Sequence, residues 1–154
     1  MRIAVGIDHA GTTLRDAVTQ ALADHGHETI DLGEREDYPQ IALAAGRAIN
    51  SGEAERAVLV CGSGAGVGIA ASKLPGVRAQ TIHDGYTAHQ AVEHDGANVL
   101  CLGARVIGPR LAAEIVAAFA AAEVSDEERH VRRRAQVAAL ERDGLAAAIG
   151  ERAG

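Results

Sequence analysis

The fold is decided by one stretch of the chain, Ala57-Val58-Leu59-Val60-Cys61-Gly62-Ser63-Gly64-Ala65-Gly66-Val67-Gly68-Ile69-Ala70-Ala71. Its first five residues are apolar and predict a buried strand, and its last five predict an apolar helix. The glycines between them allow a tight turn, in which free N–H groups at the start of the helix can point at one negative oxygen. The stretch therefore predicts an anion-binding site, and Cys61 places a thiol at its edge.

The same strand-and-helix pattern extends along the chain. Short apolar runs alternate five times with amphipathic segments of helical length, which is typical of a Rossmann-like α/β fold with a doubly wound, five-stranded parallel sheet. The predicted strands lie near residues 2–7, 27–31, 57–61, 78–82 and 98–102, and the predicted helices near 11–25, 39–51, 64–74, 85–94 and 108–122. Because 154 residues suit one domain that buries roughly 70% of its unfolded surface, we expect a single domain over residues 1–154.

A sixth helix is predicted from about residue 125 to about 148. Ser125, with Glu128 three residues later, matches a capping box, in which each side chain bonds a backbone N–H of the first turn. No strand follows this helix. We therefore expect it to pack outside the sheet, at a subunit interface.

The composition excludes several classes of partner. The formal net charge is −6, and the chain has two tyrosines, one phenylalanine and no tryptophan. A negative chain repels nucleic acid and anionic membrane surfaces, and so few aromatic rings make no stacking platform for single-stranded nucleic acid. We expect neither partner. Two cysteines far apart in sequence, without a signal-like segment or a long apolar run, predict a cytoplasmic protein with reduced thiols.

Polar residues follow the predicted strands where ligands bind in this fold class. Asp8 and His9 follow the first strand, and Cys61 ends the third. The helix after the fourth strand ends in His94 and Asp95, which we group with these residues. Any one of them alone fits a helix cap or a surface pair, but together they indicate a site.

A pair of arginines marks the predicted last helix. Arg129 and Arg133 are four residues apart, so both side chains leave the same helical face. Two guanidinium groups so placed can bind one phosphate through several charge-assisted hydrogen bonds. Spacing alone favours a solvated basic face, and nucleic-acid binding is less compatible with the negative total charge.

Taken in order, the motifs resemble those of the type B ribose-5-phosphate isomerases, which are related to galactose-6-phosphate isomerase. The resemblance covers nearly the whole chain and is carried by Gly6-Ile7-Asp8-His9-Ala10-Gly11, Asp37-Tyr38-Pro39, Cys61-Gly62-Ser63-Gly64-Ala65-Gly66, Asn98-Val99-Leu100-Cys101-Leu102-Gly103-Ala104-Arg105-Val106-Ile107-Gly108, and Arg129-His130 with Arg133. It implies an aldose–ketose isomerase that acts on a phosphorylated sugar, with ribose 5-phosphate as the expected substrate and no cofactor or metal ion. It also implies a homodimer or a dimer of dimers, whose active sites take residues from both subunits.

The resemblance assigns the proton-transfer chemistry to the glycine-rich turn. Interconverting an aldose and a ketose moves a proton between adjacent carbons through a cis-enediolate, so the site needs a base and an oxyanion-binding group. Cys61 is implied as the base, because a helix N-terminus and nearby cations favour a thiolate. The backbone N–H groups of the turn are expected to meet the enediolate oxygens, and the residues concerned are Gly62, Gly64, Ala65 and Gly66.

The sugar ring has to be opened first, because sugar phosphates of this size are largely cyclic in water. The resemblance implies that His94 acts as the acid, from the neighbouring subunit. Histidine suits this role because the pKa of a free imidazole lies near neutrality. Asp8 and Ser63 are implied to lie at the hydroxyl end of the sugar, where they move protons or orient the substrate.

The phosphate end of the substrate is implied to be bound by basic residues. By the resemblance, Arg129 and Arg133 hold the phosphate, His9 lies beside it, and Arg105 reaches in from the partner chain. Tyr38, at the start of the second helix, is expected to contribute to the pocket.

Two residues, Asp95 and Ser72, depart from the family pattern, and Ser72 is interpreted as a difference in helix packing. The family usually has Asn where this chain has Asp95, and an amide there would donate a hydrogen bond to a substrate oxygen. An ionised carboxylate can only accept one. The change leaves open a hexose or tetrose phosphate as the substrate, including allose 6-phosphate and galactose 6-phosphate, and also a non-catalytic sensor of small anions.

A nucleotide-binding module is a further alternative, because a glycine-rich turn is followed about 20 residues later by Asp84. The match is poor. The glycines follow the third strand instead of the first, and Gly66 and Gly68 fall inside the predicted helix.

Overall fold

The computed structural model describes residues 1–149, which form five strands and six α-helices. The strands are β1 (Arg2–Asp8), β2 (Glu28–Arg35), β3 (Arg56–Cys61), β4 (Ala79–Thr81) and β5 (Val99–Gly103). The helices are α1 (Arg15–Asp24), α2 (Tyr38–Asn50), α3 (Ala65–Ala71), α4 (Gly85–Asp95), α5 (Pro109–Ala121) and α6 (Glu128–Asp143). Short 3₁₀ turns at Thr12–Leu14 and Gly144–Ala146 precede α1 and follow α6.

The strands form one parallel sheet in the order β2-β1-β3-β5-β4, so the predicted doubly wound fold is confirmed. Helices α1, α4 and α5 cover one face, and their core includes Phe119. Helices α2 and α3 cover the other face around Ile41 and Val67. Strands β3 and β5 are buried from both sides, which explains why their sequences are nearly continuous apolar runs.

Several predicted boundaries differ from the structure by three residues or more, among them boundaries of α1, β2, α3 and α6. Strand β2 continues to Arg35, four residues beyond the predicted end, as an exposed edge strand with an irregular register opposite β1. Helix α3 ends at Ala71 instead of residue 74, and the chain turns through Ser72 toward Pro75. Proline lacks the N–H that a continuing helix would need.

The capping box predicted for the last helix does not form. Helix α6 begins at Glu128, with Glu127 as its N-cap residue, and the Ser125 hydroxyl accepts the N–H of Glu127 at 3.2 Å. It ends at Asp143, where Gly144 has φ +56°. The helix lies outside the sheet and packs on α4, as expected. None of the helices within residues 1–149 is long and apolar enough to cross a membrane.

Two glycines allow the glycine-rich turn to lie against the end of β5. Gly64 has φ +79°, and a methyl group added to it would lie 2.8 Å from Thr81 Cγ2. A methyl group added to Gly103 would lie 2.6 Å from the carbonyl carbon and oxygen of Ser63. The backbone of the glycine-rich turn therefore lies close to the backbone at the end of β5, and this contact fixes the position of the turn relative to the sheet.

We expect Gly103→Ala to lower the free energy of unfolding by about 1–3 kcal/mol, because the new methyl group meets backbone atoms that cannot move aside easily. Gly85→Ala is the matched control, since a methyl group at Gly85 meets no atom within 4 Å. Chemical denaturation of both variants measures the difference. Equal stability of the two variants would contradict the close approach described here.

Candidate active site

One group of predicted site residues lies where the strands end, and we call it the carboxyl-edge cluster. Strand β1 ends at Asp8, β3 at Cys61 and β5 at Gly103. Parallel strands bring these ends to one edge of the sheet. The cluster consists of Asp8, His9, Tyr38, Cys61, Gly62, Ser63, Gly64, Ala65, Gly66 and Arg105.

The thiol at the centre of this cluster faces the backbone of the turn. The Gly64 N–H donates a hydrogen bond to Cys61 Sγ at 3.1 Å, and Cys61 is only 4% exposed. The Ser63 hydroxyl accepts the Ala65 N–H at 3.3 Å. Donors directed at the sulfur stabilise a thiolate more than a thiol, because the hydrogen bond is stronger to a charged acceptor. The turn therefore directs a backbone donor at the Cys61 sulfur.

The second cysteine differs from Cys61 in its surroundings. Cys101 lies inside β5 and is fully buried. Burial and, to a smaller extent, the neighbouring Cys61 raise the pKa of Cys101 to about 12. It is therefore a thiol at neutral pH.

Two side chains form the walls of the carboxyl-edge cluster. The ring of Tyr38, the first residue of α2, lies over Gly66, where an added methyl group would be 3.0 Å from Tyr38 Cζ. The guanidinium group of Arg105 lies over Gly62, where the corresponding distance to Arg105 Cζ is 3.3 Å. Glycine at both positions leaves room for these side chains.

The residues after β1 are fixed by hydrogen bonds. Asp8 is 4% exposed, and its carboxylate accepts the Ala10 N–H at 2.9 Å. His9 is exposed, and its Nδ1 lies 2.9 Å from the carbonyl oxygen of Glu36. A carbonyl only accepts, so the Nδ1 of His9 carries a proton and its Nε2 is directed elsewhere.

A second group of predicted residues lies at the opposite edge of the sheet. Helix α4 starts after β4, where the Asp84 carboxylate accepts the Thr87 N–H at 2.7 Å, a bond that lowers the pKa of Asp84. The helix then runs back, antiparallel to the strands, and its eleven residues span about 16 Å. His94 and Asp95 at its end therefore lie near the start of β5, away from Cys61 of the same chain.

Helix α6 adds its residues to this second group. The rings of His94 and His130 are stacked with their centroids 4.0 Å apart and an interplanar angle of 27°. Arg129 and Arg133 flank His130 on the same helix, and both are exposed. We call His94, Asp95, Arg129, His130 and Arg133 the amino-edge cluster.

The exposed residues of the amino-edge cluster have few internal partners. The Nε2 of His94 lies 3.6 Å from a carboxylate oxygen of Glu93, and the Nε of Arg129 lies 2.8 Å from one of Glu127. These are exposed pairs of small energetic value, which a bound anion can displace. An arginine pair on one helical face next to an imidazole is thus available to a ligand that approaches from outside the chain.

The structure divides the basic residues differently from the division implied by the resemblance. Arg105 lies beside the thiol of its own chain, whereas the resemblance placed it on the partner. Arg129 and Arg133 lie with His94, on the side that the resemblance assigned to the other subunit. We expected His94 and Cys61 at the same edge of the sheet, but within one chain they lie at opposite edges.

Asp95 faces a groove and not the glycine-rich turn. The groove measures about 900 Å³ and lies between α6 and residues 72–80. Its charged lining residues include Lys73, Arg78 and Arg134, opposed by Asp95 and Glu141. Asp95 is thus an exposed residue that lines this groove.

Three further residues support the two clusters. The His83 Nε2 accepts the Gly103 N–H at 3.0 Å, and the Thr81 hydroxyl donates to the Gly64 carbonyl at 2.9 Å. His83 follows the predicted fourth strand, where polar residues are expected at a site, but Thr81 was not predicted to contribute. His130 stands in the motif Arg129-His130, and nothing in the sequence marks it as buried.

Within residues 1–149, no three His, Cys, Asp or Glu side chains are grouped so that they could hold a metal ion.

Comparisons with known proteins agree on one family. Residues 3–137 match the family model described as Ribose/Galactose Isomerase. The chain is 38% identical over 144 residues to ribose-5-phosphate isomerase B of Escherichia coli strain K12, which covers 91% of this chain and 96% of the relative. It is 41% identical over 128 residues to D-erythrulose-4-phosphate isomerase of Pectobacterium atrosepticum, with 80% and 84% covered.

A solved structure agrees with the sequence relatives. The type B ribose 5-phosphate isomerase of Trypanosoma brucei superposes with a TM-score of 0.85 at 40% sequence identity, and the match covers 90% of this chain and 97% of that one. The family match spans most of the chain, and the relatives are well above 30% identical. The chain therefore belongs to the ribose/galactose isomerase family and is an aldose–ketose isomerase of phosphorylated sugars.

Proposed function

We propose that the protein interconverts ribose 5-phosphate and ribulose 5-phosphate at a site assembled from two copies of the chain. The observation that carries the proposal is the hydrogen bond from the Gly64 N–H to Cys61 Sγ, inside a turn built to hold an anion. This hydrogen bond brings the proposed base, Cys61, next to the backbone that is proposed to bind the oxyanion. The E. coli relative, whose name specifies ribose 5-phosphate, supports the choice of sugar.

The isomerisation step uses the carboxyl-edge cluster. The Cys61 thiolate removes the proton on C2 of the open-chain aldose, and the electron pair of that C–H bond forms the C1–C2 double bond of the enediolate. The negative charge moves to O1, where backbone N–H groups of residues 62–66 stabilise it, typically by a few kcal/mol per donor. The Cys61 thiol then returns the proton to C1, and a proton passes from O2 to O1. Asp8 and Ser63 are placed to assist that last transfer.

Ring opening requires a proton donor at the ring oxygen, and His94 supplies it. A five-carbon sugar 5-phosphate has a free O4 and closes a furanose ring, whereas O4 of a four-carbon 4-phosphate is esterified and cannot. An enzyme for the four-carbon sugar therefore needs no ring-opening acid. The imidazole of His94, beside the Glu93 carboxylate, supports a substrate that cyclises.

The need for two copies follows from the separation of the two clusters. Cys61 and His94 lie at opposite edges of one sheet, so one chain does not present both to a single sugar. A two-fold dimer that places the amino-edge cluster of one copy on the carboxyl-edge cluster of the other forms two complete sites. The phosphate then lies between Arg129 and Arg133 of one copy and His9 and Arg105 of the other.

We also propose a cytoplasmic location. Cys61 and Cys101 are both free, and the base has to remain a reduced thiol.

Cys61→Ser should lower kcat for ribose 5-phosphate by about 10²- to 10⁴-fold, because the hydroxyl is a far weaker base than the thiolate. A panel of ribose 5-phosphate, erythrose 4-phosphate, allose 6-phosphate and galactose 6-phosphate measures turnover by the wild type and the variant. Cys101→Ala is the matched control and should retain the wild-type rate. Substantial turnover by Cys61→Ser would exclude Cys61 as the base, and tight binding without turnover by the wild type would favour a sensor.

Mixing two impaired variants tests the shared site. Cys61→Ser and His94→Asn each slow both sites of a homodimer, but a heterodimer of the two has one unimpaired site. Random assembly of equal amounts should therefore restore about one quarter of the wild-type activity. Co-expression with two different tags and assay of the purified mixture measures it. Activity no higher than that of the single variants would show that one chain supplies both residues.

Arg133→Ala should weaken the binding of phosphorylated sugars about 10- to 100-fold, since a charge-assisted hydrogen bond contributes about 1.5–3 kcal/mol. Arg132→Ala is the control, because its side chain leaves the same helix about 100° away. The KM for ribose 5-phosphate and the inhibition constant of inorganic phosphate measure the effect. If both variants lose affinity equally, the arginine pair does not bind the phosphate specifically.

A further inference from the structure

A buried histidine holds α6 against the rest of the chain. Of the sixteen residues of α6, all of which the structure describes, His130 is the one that is buried, with 2% of its surface exposed. Surface helices normally bury apolar side chains, so an imidazole in this place requires an explanation. None of the reaction steps set out above uses it.

The ring of His130 is fixed by Ser125, which precedes α6. Its Nδ1 lies 3.0 Å from the Ser125 hydroxyl oxygen, which also accepts the Glu127 N–H. With a neutral imidazole, the hydroxyl donates its proton to Nδ1 and the ring proton remains on Nε2. Ser125 is in turn tied to α4, because its N–H donates to the Glu93 carbonyl at 2.8 Å. The position of His130 is thus set relative to α4.

His130 also contacts His94. The two rings are stacked at a centroid distance of 4.0 Å, so one face of the His94 imidazole is covered. Arg134 fixes the backbone on both sides of the stack, donating to the carbonyl oxygens of His94 at 3.0 Å and Ser125 at 2.7 Å. The Glu93 carboxylate lies 3.6 Å from the His94 Nε2. The His94 residue is therefore restrained by the stacked ring of His130, by the Glu93 carboxylate near its Nε2 and by the Arg134 hydrogen bond to its backbone carbonyl.

The protonation state of His130 determines which charge lies against the His94 ring. Burial lowers the pKa of His130, and the nearby His94, Arg129 and Arg133 lower it further, with Glu127 opposing them. A histidine with a lowered pKa is neutral at neutral pH. His94 consequently stacks on an uncharged ring, and a proton on His94 meets no second imidazolium.

We propose that His130 is a positioning residue that acts through His94, holding that imidazole in the orientation from which it protonates the ring oxygen of the sugar. The proposal rests on the proposed function, because it requires His94 to be the ring-opening acid. It assigns His130 no contact with the reacting atoms. Its contribution should therefore disappear when His94 is absent.

A double-mutant cycle on the full-length enzyme tests this dependence. The variants are His130→Phe, His94→Asn and the two combined, assayed with ribose 5-phosphate. His130→Phe keeps an aromatic ring in the stack and removes the bond to Ser125. We expect it to lower kcat about tenfold in the wild-type background and less than about twofold when His94 is already Asn. The KM should change less than about twofold.

The outcomes separate this proposal from the proposed function. An equal loss of kcat in both backgrounds, or no loss in either, would overturn the role of His130 while leaving the isomerase intact. Absence of turnover of every sugar by the wild type would overturn the proposed function and this proposal with it. The melting temperatures of the variants show whether a loss of activity reflects loss of folding.

A second variant and a control cover the case in which His130→Phe does not fold. Ser125→Ala keeps both rings and removes only the hydroxyl, and it should lower kcat in the same direction, by about threefold, again only when His94 is present. His89→Phe is the control, because His89 lies one turn before His94 and 3.6 Å from the same carboxylate of Glu93. It should retain the wild-type kcat. A loss equal to that of Ser125→Ala would overturn the proposal.

Discussion

The arrangement of this protein depends on the parallel direction of its strands. Every connection between parallel strands has to return to the starting edge of the sheet, so each crossover helix runs against the strands. Strand ends such as Cys61 and Gly103 therefore meet at one edge, while the end of a helix such as α4 lies at the other. The distance between Cys61 and His94 is a consequence of that topology, and repacking of side chains cannot remove it. The proposal of a second copy at the site rests on the same constraint.

The glycine-rich turn depends on contacts that the sequence does not display. Gly64 is needed for its positive φ, but Gly103 is needed because Ser63 of the turn lies against it, forty residues away. The His83 imidazole and the Thr81 hydroxyl then bind the backbone on either side of that contact. The turn is thus held by β4 and β5 as well as by its own residues. This rigidity is what a site needs if its N–H groups are to be directed at a developing charge before the reaction begins.

Periodicity predicted the order of all the strands and helices because buried strands and amphipathic helices have distinct apolar patterns. It failed at the ends of β2 and α6, where exposed polar residues carry no such pattern. Most residues of the carboxyl-edge cluster could be identified because they follow strands. The division of Arg105 from Arg129 and Arg133 could not, since it depends on which edge each element reaches. His130 was missed because burial of a polar side chain in a polar helix has no signature in sequence, and it depends on the tertiary contact with His94.

Asp95 adds a charge to the amino-edge cluster that the usual asparagine does not have. It follows His94 at the end of α4, where the helix dipole is already negative. Three basic residues of the groove, Lys73, Arg78 and Arg134, offset this charge. Its carboxylate can only accept hydrogen bonds, so in a dimer it suits a substrate hydroxyl and opposes an enediolate oxygen. In the proposed dimer the reacting oxygens are therefore directed to the glycine-rich turn of the other copy, and the Asp95 carboxylate is suited only to hydroxyl groups.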